Sequence, residues 1–453
     1  MFKAFANAWK IDDLRKKFLF TLFIILIYRI GACITVPFIG YAAMEQGTND
    51  YLQNWFNSYL GLGELKSINL FNLMSGDSFS KGNLFALGVS PYITASIVMQ
   101  LLSVAIPPLE RLAKSEGGKE KIDQITRYVT IGLSLLYSIG YYITLNSRGA
   151  VTQDGFFYAV VIILCYCAGS SLVMWLAEKI NEKGIGNGVS IILFANIVSR
   201  APAILMQIID IIESDPIGGT IYSLALCVLM LFLLWFIIFI SDSERRIPVQ
   251  YAKRVVGRKM YGGQNTNLPI KLNMAGVMPI IFASTIINLP QTIALFFAPK
   301  EGSWWYTFVS YWGSLSSKNM IVAQPIYIIL NLGLILAFAY FYVAISFNPT
   351  EVSQNIQKNG GAVPGIRPGR ATADYIKKVL SKIVLIGAIA LSIISVVPMI
   401  IQYVVNICTG DAYMIQDFIM GGSSIIICVG VILETLKEIE TQMSMRHYKG
   451  FLE

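Results

Sequence analysis

The sequence predicts an all-α polytopic membrane protein. Hydrophobic residues make up 55% of its 453 residues and charged residues only 14%, a composition that argues against two or three soluble domains. Several stretches longer than about 18 residues carry no charge, which is typical of helices that span a bilayer. No alternating pattern of about ten residues indicates a β-barrel.

Ten apolar stretches have the length of spanning helices, and the second is broken. Its apolar start at Leu70 is interrupted by Ser75-Gly76-Asp77-Ser78 before a further apolar stretch runs to Pro107. Such a break is tolerated at membrane depth only where protein or a water-filled cavity covers the freed backbone groups. We therefore expect this stretch to line a cavity. The predicted spans are about 18–38, 70–106, 122–145, 156–177, 187–211, 220–241, 273–298, 323–347, 378–406 and 416–440.

The ten spans divide into two sets of five around the loop at 210–219. A unit with an odd number of spans that is repeated once must be inverted, as in many transporters. We predict an N-terminal half at 18–212 and a C-terminal half at 213–440. A cytoplasmic segment at 1–17 precedes them and a cytoplasmic tail at 441–453 follows.

Lys and Arg are concentrated in alternate loops, which predicts that both termini are cytoplasmic. Two of the cytoplasmic loops, at about 242–272 and 348–377, are basic and rich in Gly, Pro, Asn and Gln. They are much longer than the ~4–6 residues of a typical connection. Charge alone leaves two interpretations open: retention next to anionic lipids, or docking of a large cytoplasmic partner.

The sequence lacks the residues that several classes of function require. The single histidine, His447, lies in the tail, and the spans carry almost no acidic residues. Ion-coupled pumps usually need such groups within the membrane. No phosphate-binding loop motif occurs, and the six cysteines lack zinc-like spacing. We therefore predict that the protein is not an enzyme and has no catalytic residue, cofactor or metal. We expect it to be a passive conduit that another component drives. The alternatives are a secondary transporter, which needs a polar site at the midplane, and a membrane-embedded enzyme.

Arg29 is the one clearly intramembrane cation of the predicted spans. Its side chain could reach the interface by snorkelling, but it lies far into the first span. We therefore expect a partner within the helix bundle, such as the carbonyl groups at a helix end.

Longer motifs resemble the SecY/Sec61-alpha family, whose bacterial members form the channel of the Sec protein translocase. The blocks occur in the family's order and together reach from Arg29 to His447. They read Phe85-Ala-Leu-Gly88-x-x-Pro91-Tyr92-Ile93-x-Ala95-Ser96-Ile97, Glu182-Lys-Gly-Ile-Gly-Asn-Gly188-Val-Ser-Ile-Ile192, Tyr251-Ala252-Lys253-Arg254 with Gly257-Arg258, Leu272-Asn-Met-Ala-Gly276-Val-Met-Pro279-Ile-Ile-Phe-Ala-Ser284, Phe347-Asn-Pro349 and Val363-Pro-Gly-Ile-Arg367-Pro-Gly369. The sequence departs from the family at Ile34-Thr35-Val36-Pro37-Phe38, where a first proline and a glycine are usual.

The resemblance implies two inverted five-span halves around an hourglass pore in the bacterial plasma membrane, closed by a short plug helix and a ring of aliphatic side chains. Secretory polypeptides would cross unfolded, and transmembrane segments would leave sideways through a lateral gate. The implied partners are the SecE and SecG subunits, the SecA motor ATPase, a translating ribosome, secretory and membrane-protein clients with signal sequences, and anionic lipids.

Carried over to this sequence, the resemblance implies a pore ring formed by Val89, Ile93, Val189, Leu193, Ile281 and Ile427. Two pairs in this set are spaced i,i+4, which places each pair on one helix face. Ordinary helix packing would fit the same residues without the resemblance. A ring without polar atoms offers an ion nothing to replace its water, and such constrictions close by dewetting.

The implied plug covers about 67–78 and contains Leu70, Phe71, Leu73, Met74 and the hinge Gly76. So short a helix is marginal in isolation, which suits an element that must move. The implied docking residues for SecA or a ribosome are Lys253, Arg254, Arg258, Lys259, Arg367 and Arg370. Arg367 lies between two Pro-Gly pairs that stiffen the loop and present the guanidinium, and Arg suits both RNA phosphate and an acidic protein surface.

Overall fold

The computed structural model describes residues 9, 11–40, 75–76, 78–79, 81–115, 117–147, 149–153, 155–251, 254–256, 259–261, 265–294, 303–312, 320–409 and 421–449. The helices are α1 (Asp12–Ala32), α2 (Ser90–Ala105), α3 (Pro107–Lys114), α4 (Gly118–Ser147), α5 (Phe156–Lys183), α6 (Gly188–Ser199), α7 (Ala201–Ser214), α8 (Gly218–Asp242), α9 (Met278–Ala294), α10 (Trp304–Trp312), α11 (Met320–Ser346), α12 (Pro349–Lys358), α13 (Arg370–Thr409) and α14 (Gly421–Lys449). The strands are β1 (Glu244–Tyr251), β2 (Arg254–Val256), β3 (Lys259–Tyr261), β4 (Asn265–Lys271) and β5 (Gly361–Ala362).

A described helix covers all or part of each of the ten predicted spans. Among the described residues, six helical segments are long and apolar enough to cross a membrane, and a seventh is added if α2 and α3 count as one bent span. The protein is therefore a multi-pass membrane protein. The count of ten spans stays a prediction.

Prolines interrupt the helices at two places, one at the end of the predicted span 70–106 and one within the predicted span 187–211. The chain turns by 106° between α2 and α3, where the extended Ile106 precedes Pro107. A residue before proline is driven out of the α region, which explains the turn. The predicted span at 187–211 is two helices, α6 and α7, which meet at Arg200 because Pro202 occupies the first turn of α7.

The two long basic loops form one antiparallel sheet, which the all-α prediction missed. Its strand order is β4-β1-β5. β1 pairs with β4 over its length, and it pairs with β5 through Gln250 opposite Ala362 and Tyr251 opposite Gly361. β2 and β3 form a separate hairpin. The predicted loop at 348–377 also contains α12 and the first turns of α13, so most of it is ordered secondary structure.

This sheet rests on the helices through a hydrophobic cluster. Ile247, Val249 and Ile270 of the sheet are buried with Val343 of α11 and Ile376 of α13. Burial of apolar surface stabilises such a contact by roughly 25 cal/mol per Å². The sheet is therefore held in a fixed position against the ends of two predicted spans.

Helix contacts repeat between the two sets of five predicted spans. In the first set α2 contacts α4, α4 contacts α5, and α5 contacts α1 and α6. In the second set α9 contacts α11, α11 contacts α13, and α13 contacts α8 and α14. Each contact has a counterpart five spans later. Between the sets, α2 contacts α9, α6 contacts α14 and α7 contacts α8.

Candidate functional site

Aliphatic side chains from both sets of spans meet in one hydrophobic cluster, and all six predicted ring residues belong to it. Val89 and Ile93 lie at the start of α2, and Val189 and Leu193 at the start of α6. Ile281 lies on α9 and Ile427 on α14. Val89, Ile93, Leu193 and Ile281 are buried, whereas Val189 and Ile427 are partly buried. The four helices are those that meet between the two sets, as α2 with α9 and α6 with α14.

The start of α6 is fixed by side-chain caps. The amide oxygen of Asn187 accepts hydrogen bonds from the backbone N–H groups of Val189 at 3.1 Å and Ser190 at 3.4 Å. The Gly188 N–H donates to Asn181 Oδ1 at 2.7 Å. These bonds satisfy donors that a helix start otherwise leaves unpaired. The two ring positions on α6 are thus held by its own N-terminus.

A close approach joins α9 and α14 beside their ring residues. A Cβ atom added to Gly430, three residues after Ile427, would lie only 2.2 Å from Val277 Cγ1. Val277 lies just before α9, and its carbonyl accepts the hydrogen bond of the Ile281 N–H at 3.3 Å. Small residues permit this separation, as they do between other membrane helices.

Most of the predicted plug lies outside the described residues. Leu70, Phe71, Leu73 and Met74 belong to this part, whereas Gly76 is described. Gly76 follows the helical Ser75 and adopts φ +62°. This left-handed conformation ends many helices and strongly favours glycine. Gly76 therefore suits a boundary between two segments of chain.

The post-hinge segment, residues 78–79 and 81–89, is tied to the end of α1. Ser78 Oγ and Asn83 Nδ2 donate to the Ala32 carbonyl at 3.3 and 2.6 Å. The Leu84 N–H donates to the Ile34 carbonyl at 2.8 Å. This network leaves the hinge directly before a fixed part of the chain.

Two buried tyrosines from α4 and α5 secure the same segment. The Tyr141 hydroxyl donates to the Phe79 carbonyl, and the Tyr166 hydroxyl donates to the Gly82 carbonyl at 3.0 Å. Neither tyrosine is among the site residues predicted from the sequence. A tyrosine within an apolar span could have indicated such a contact, because a buried Tyr usually finds a hydrogen-bond partner for its O–H group.

Arg29 lies close to Gly76, the predicted hinge, since a Cβ atom added to Gly76 would lie 2.7 Å from Arg29 Nη1. Its Nη1 atom is buried and has no hydrogen-bond partner among the described residues, so the expected partner within the bundle stays a prediction. The neighbouring Tyr28 accepts a hydrogen bond from Asn196 Nδ2 at 2.8 Å. The sequence alone therefore shows that this charge is unusual, but only the fold shows which residues surround it.

The described docking residues lie on the hairpin of β2 and β3 and on the turn before α13. Arg367 and Arg370 are exposed. The turn is fixed because Gly365 has φ +79° and Gly369 has φ +94°, and Thr372 Oγ1 donates to the Arg367 carbonyl at 2.9 Å. The guanidinium of Arg367 is thus presented from an ordered turn.

The other predicted docking residues belong to the hairpin. Arg254 begins β2 and Lys259 begins β3. Lys253 and Arg258 lie outside the described residues. Because β1 and β5 pair, the hairpin and the Arg367 turn extend from one sheet.

A cavity of about 340 Å³ lies between this sheet and the ring cluster. Lys271, Asn273, Glu434 and Lys437 line it. Burial, and then the positive charge of Lys437, lower the pKa of the Lys271 ammonium group. Two lysines and one glutamate therefore bring charges of both signs to the cavity.

The SecY family model matches residues 83–436, which include all of the ring residues and the cytoplasmic sheet. The chain belongs to the SecY family. The protein translocase subunit SecY of Mycobacterium tuberculosis is 41% identical, and the match covers 100% of both chains. The chain is thus comparable with a SecY protein over its whole length.

Solved structures of SecY-family channels share the fold. One reports that the plug domain of SecY stabilises the closed state of the translocation channel and maintains a membrane seal. It matches with a TM-score of 0.64 at 16% identity, over 95% of this chain and 92% of that chain. Another is Sec61 in the canine ribosome–channel complex from the endoplasmic reticulum, with a TM-score of 0.59 at 15% identity, over the same shares of the two chains.

Proposed function

We propose that this chain forms a protein-conducting channel that passes unfolded secretory polypeptides across the bacterial plasma membrane and releases transmembrane segments sideways into lipid. The observation that carries the proposal is that the six predicted ring residues belong to one hydrophobic cluster and lie on four helices that contact each other between the two sets of spans. The names of the SecY-family relatives support it. The channel is not an enzyme and needs no cofactor, catalytic residue or resident metal.

Two inverted halves, each of five spans, would surround an hourglass pore. The repeated helix contacts support this arrangement, because each contact in the first half has a counterpart in the second. Inverted repeats usually place the transport pathway at the interface between the halves. The ring residues occupy this interface.

The ring would close the pore to ions and admit a polypeptide. Its side chains offer neither charge nor hydrogen bonds, so an ion that enters loses its water without compensation. A translocating chain of any sequence can displace such side chains, since no specific bond must be broken. One narrow point then serves both as a seal and as a passage.

The lateral gate would open between α2 and α4 of the first half and α9 and α11 of the second, and α6 with α14 would act as the opposite side. The contacts of α2 with α9 and of α6 with α14 join the halves, and the chain itself continues from α7 to α8 on the α6 side. A covalent connection on one side favours opening on the other. Separation of α2 from α9 would therefore expose the pore to lipid.

The plug at about 67–78 would seal the closed pore and move about Gly76. The post-hinge segment supports this division, because its hydrogen bonds to Ala32 and Ile34 hold it in place. Motion of the segment before Gly76 would leave the ring residues of α2 undisturbed.

The driving partner would bind the basic cytoplasmic sheet. Arg367 and Arg370 are exposed beside it, and both loops carry further Lys and Arg. SecA would offer acidic surface and a ribosome RNA phosphate, and guanidinium groups bind either. SecE and SecG would be the companion subunits, with both termini in the cytoplasm and anionic lipids at the basic surface.

Cysteine crosslinking to a secretory chain stalled during transport tests the channel. In a variant without native cysteines, single cysteines at Val89, Ile93, Val189, Leu193, Ile281 and Ile427 are expected to crosslink to it. Leu231→Cys and Ile329→Cys serve as controls, because these side chains are 63% and 71% exposed on the outer faces of α8 and α11. Strong crosslinks at the control positions and none in the ring would overturn the proposal.

A further inference from the structure

A small hydrophobic cluster surrounds Ile185, which lies in the glycine-rich segment 184–188 between α5 and α6. Ile185 is 2% exposed and clusters with Leu14 of α1 and Ile439 of α14, each 3% exposed. Further side chains of the same two ends of the chain pack around this group as partly buried neighbours, namely Ile11, Phe18 and Met443. We call this cluster the Ile185 joint, because it brings the segment before α6 together with the first helix and the last.

Hydrogen bonds connect the same three parts of the chain. The Ile185 N–H group donates to Thr21 Oγ1 at 3.2 Å, and the Thr21 hydroxyl donates to the Lys17 carbonyl at 3.0 Å. A hydroxyl can accept and donate at once, so Thr21 satisfies the N–H group of a buried residue and keeps its own bond. The Lys17 ammonium group donates to Gln442 Oε1 of α14 at 3.1 Å. Polar bonds therefore link α1 both to the segment before α6 and to α14.

Two glycines allow the segment to lie this close to both helices. A Cβ atom added to Gly184 would lie 2.6 Å from Thr21 Oγ1 of α1, and one added to Gly186 would lie 3.0 Å from Thr435 Oγ1 of α14. Gly186 also adopts φ +82°, a left-handed conformation that favours glycine. The chain thus contacts α1 just before Ile185 and α14 just after it.

We propose that Ile185 is a positioning residue that keeps the two halves of the proposed channel together beside α6 and α14 while α2 separates from α9. A polypeptide in the ring would displace the ring side chains of α6 and α14, so another contact must hold these helices together. The Ile185 joint lies before the first residue of α6, and its buried residues form a cluster separate from that of the ring. This inference rests on the proposed channel and adds to it the side on which the halves stay in contact.

A crosslink across the joint tests whether it stays closed during transport. In a variant without native cysteines, Lys17→Cys and Gln442→Cys place two thiols where the native side chains are hydrogen-bonded, and a short bismaleimide can join them. We expect the crosslink to form and the complete translocase, reconstituted in lipid vesicles, to keep its transport of a secretory client. Loss of transport on crosslinking, while the untreated double variant stays active, would show that the halves separate here and would overturn the inference.

Ile185→Ala, introduced into the same double-cysteine chain, tests the role of the side chain itself. Removal of a buried aliphatic side chain leaves a cavity, so the yield of the crosslink between α1 and α14 should fall by about threefold or more, and transport should fall with it. Ile185→Val keeps most of the side chain and should restore both.

The matched control is Ile162→Ala on α5. Ile162 is fully buried, but it belongs to a cluster that contains no residue of α14. This change should lower the thermal stability of the complex and leave the crosslink yield as it was. Equal crosslink yields in Ile185→Ala and Ile162→Ala would contradict the positioning role, because a merely structural loss would then explain both.

A second crosslink separates failure of this inference from failure of the proposed channel. Ile93→Cys and Ile281→Cys, joined by the same reagent, should block transport, because they tie α2 to α9 at the proposed gate. Transport that continues through this crosslink would contradict the gate, and with it the movement that the joint accompanies. If both crosslinks block transport, the proposed channel stands and only the role of Ile185 is lost.

Discussion

At the scale of single residues, the hydrogen bond between Tyr28 and Asn196 joins α1 to α6 inside the apolar bundle. Both residues are fully buried, and the Nδ2–hydroxyl distance is 2.8 Å. Tyr28 also stacks on Phe85 of the post-hinge segment, with ring centroids 5.4 Å apart. One side chain therefore links the first span, the sixth helix and the chain that follows the hinge.

Tyr28→Phe removes the hydroxyl and keeps the ring. The Asn196 amide loses this acceptor in a fully buried site, so we expect the free energy of unfolding to fall by about 1–3 kcal/mol. Thermal unfolding of the purified protein in detergent measures the change. Tyr128→Phe is the control, because Tyr128 is 75% exposed and its hydroxyl can bind water. A Tyr28→Phe variant as stable as the control would contradict the bond's contribution.

The amino-acid sequence predicted single residues where composition makes them unusual. Arg29 was visible as a charge in an apolar stretch, and Gly76 as a break in a span. Their contact was not predictable, because it brings together positions 47 residues apart through packing of α1 against α6. The ring residues came from resemblance, since Ile and Val in a span fit lipid, core and pore equally well.

At the scale of elements, the cytoplasmic sheet turns two separate basic loops into one surface. β5 has only two residues, yet it pairs with β1 across more than 100 positions of the chain. Propensity could not predict it, because so short a strand exists only through its partner. A described helix covers all or part of each span that hydropathy predicted, whereas α12 and the break at Arg200 depend on turns and proline effects that hydropathy does not report.

Arg367→Glu tests the docking surface. Reversal of an exposed charge leaves the fold intact. It places a negative side chain against an acidic or phosphate-rich partner, and this like-charge contact weakens binding by several kcal/mol. We expect SecA-driven transport to be abolished and binding of the partner to weaken by at least about tenfold. Vesicle transport assays and direct binding measurements check both. Arg111→Glu, an exposed change of equal charge on α3, should act weakly, and equal losses from both would contradict specific docking.

At the scale of the whole molecule, the seal and the exits of the proposed channel depend on the same four helices. α2 and α9 are counterparts in the two halves, as are α6 and α14, and each pair also joins the halves. A ring built from these helices must widen when the halves separate. Lateral release and transport across the membrane are then two outcomes of one movement, since both begin with separation of α2 from α9.

The double change Ile93→Asn and Ile281→Asn places one amide from each half in the ring. Both positions are now buried and aliphatic, and we expect the polar groups to admit water and raise the resting ion conductance of reconstituted vesicles. Val228→Asn is the control, because it replaces an aliphatic side chain with the same amide at a position on α8 that is 60% exposed and lies away from the ring. It should leave the conductance unchanged. Transport of a secretory client should persist in the ring variant, because the passage is widened and not blocked. A double variant as tight to ions as the unmodified channel would show that the seal lies elsewhere, and the plug before Gly76 would then have to hold it alone.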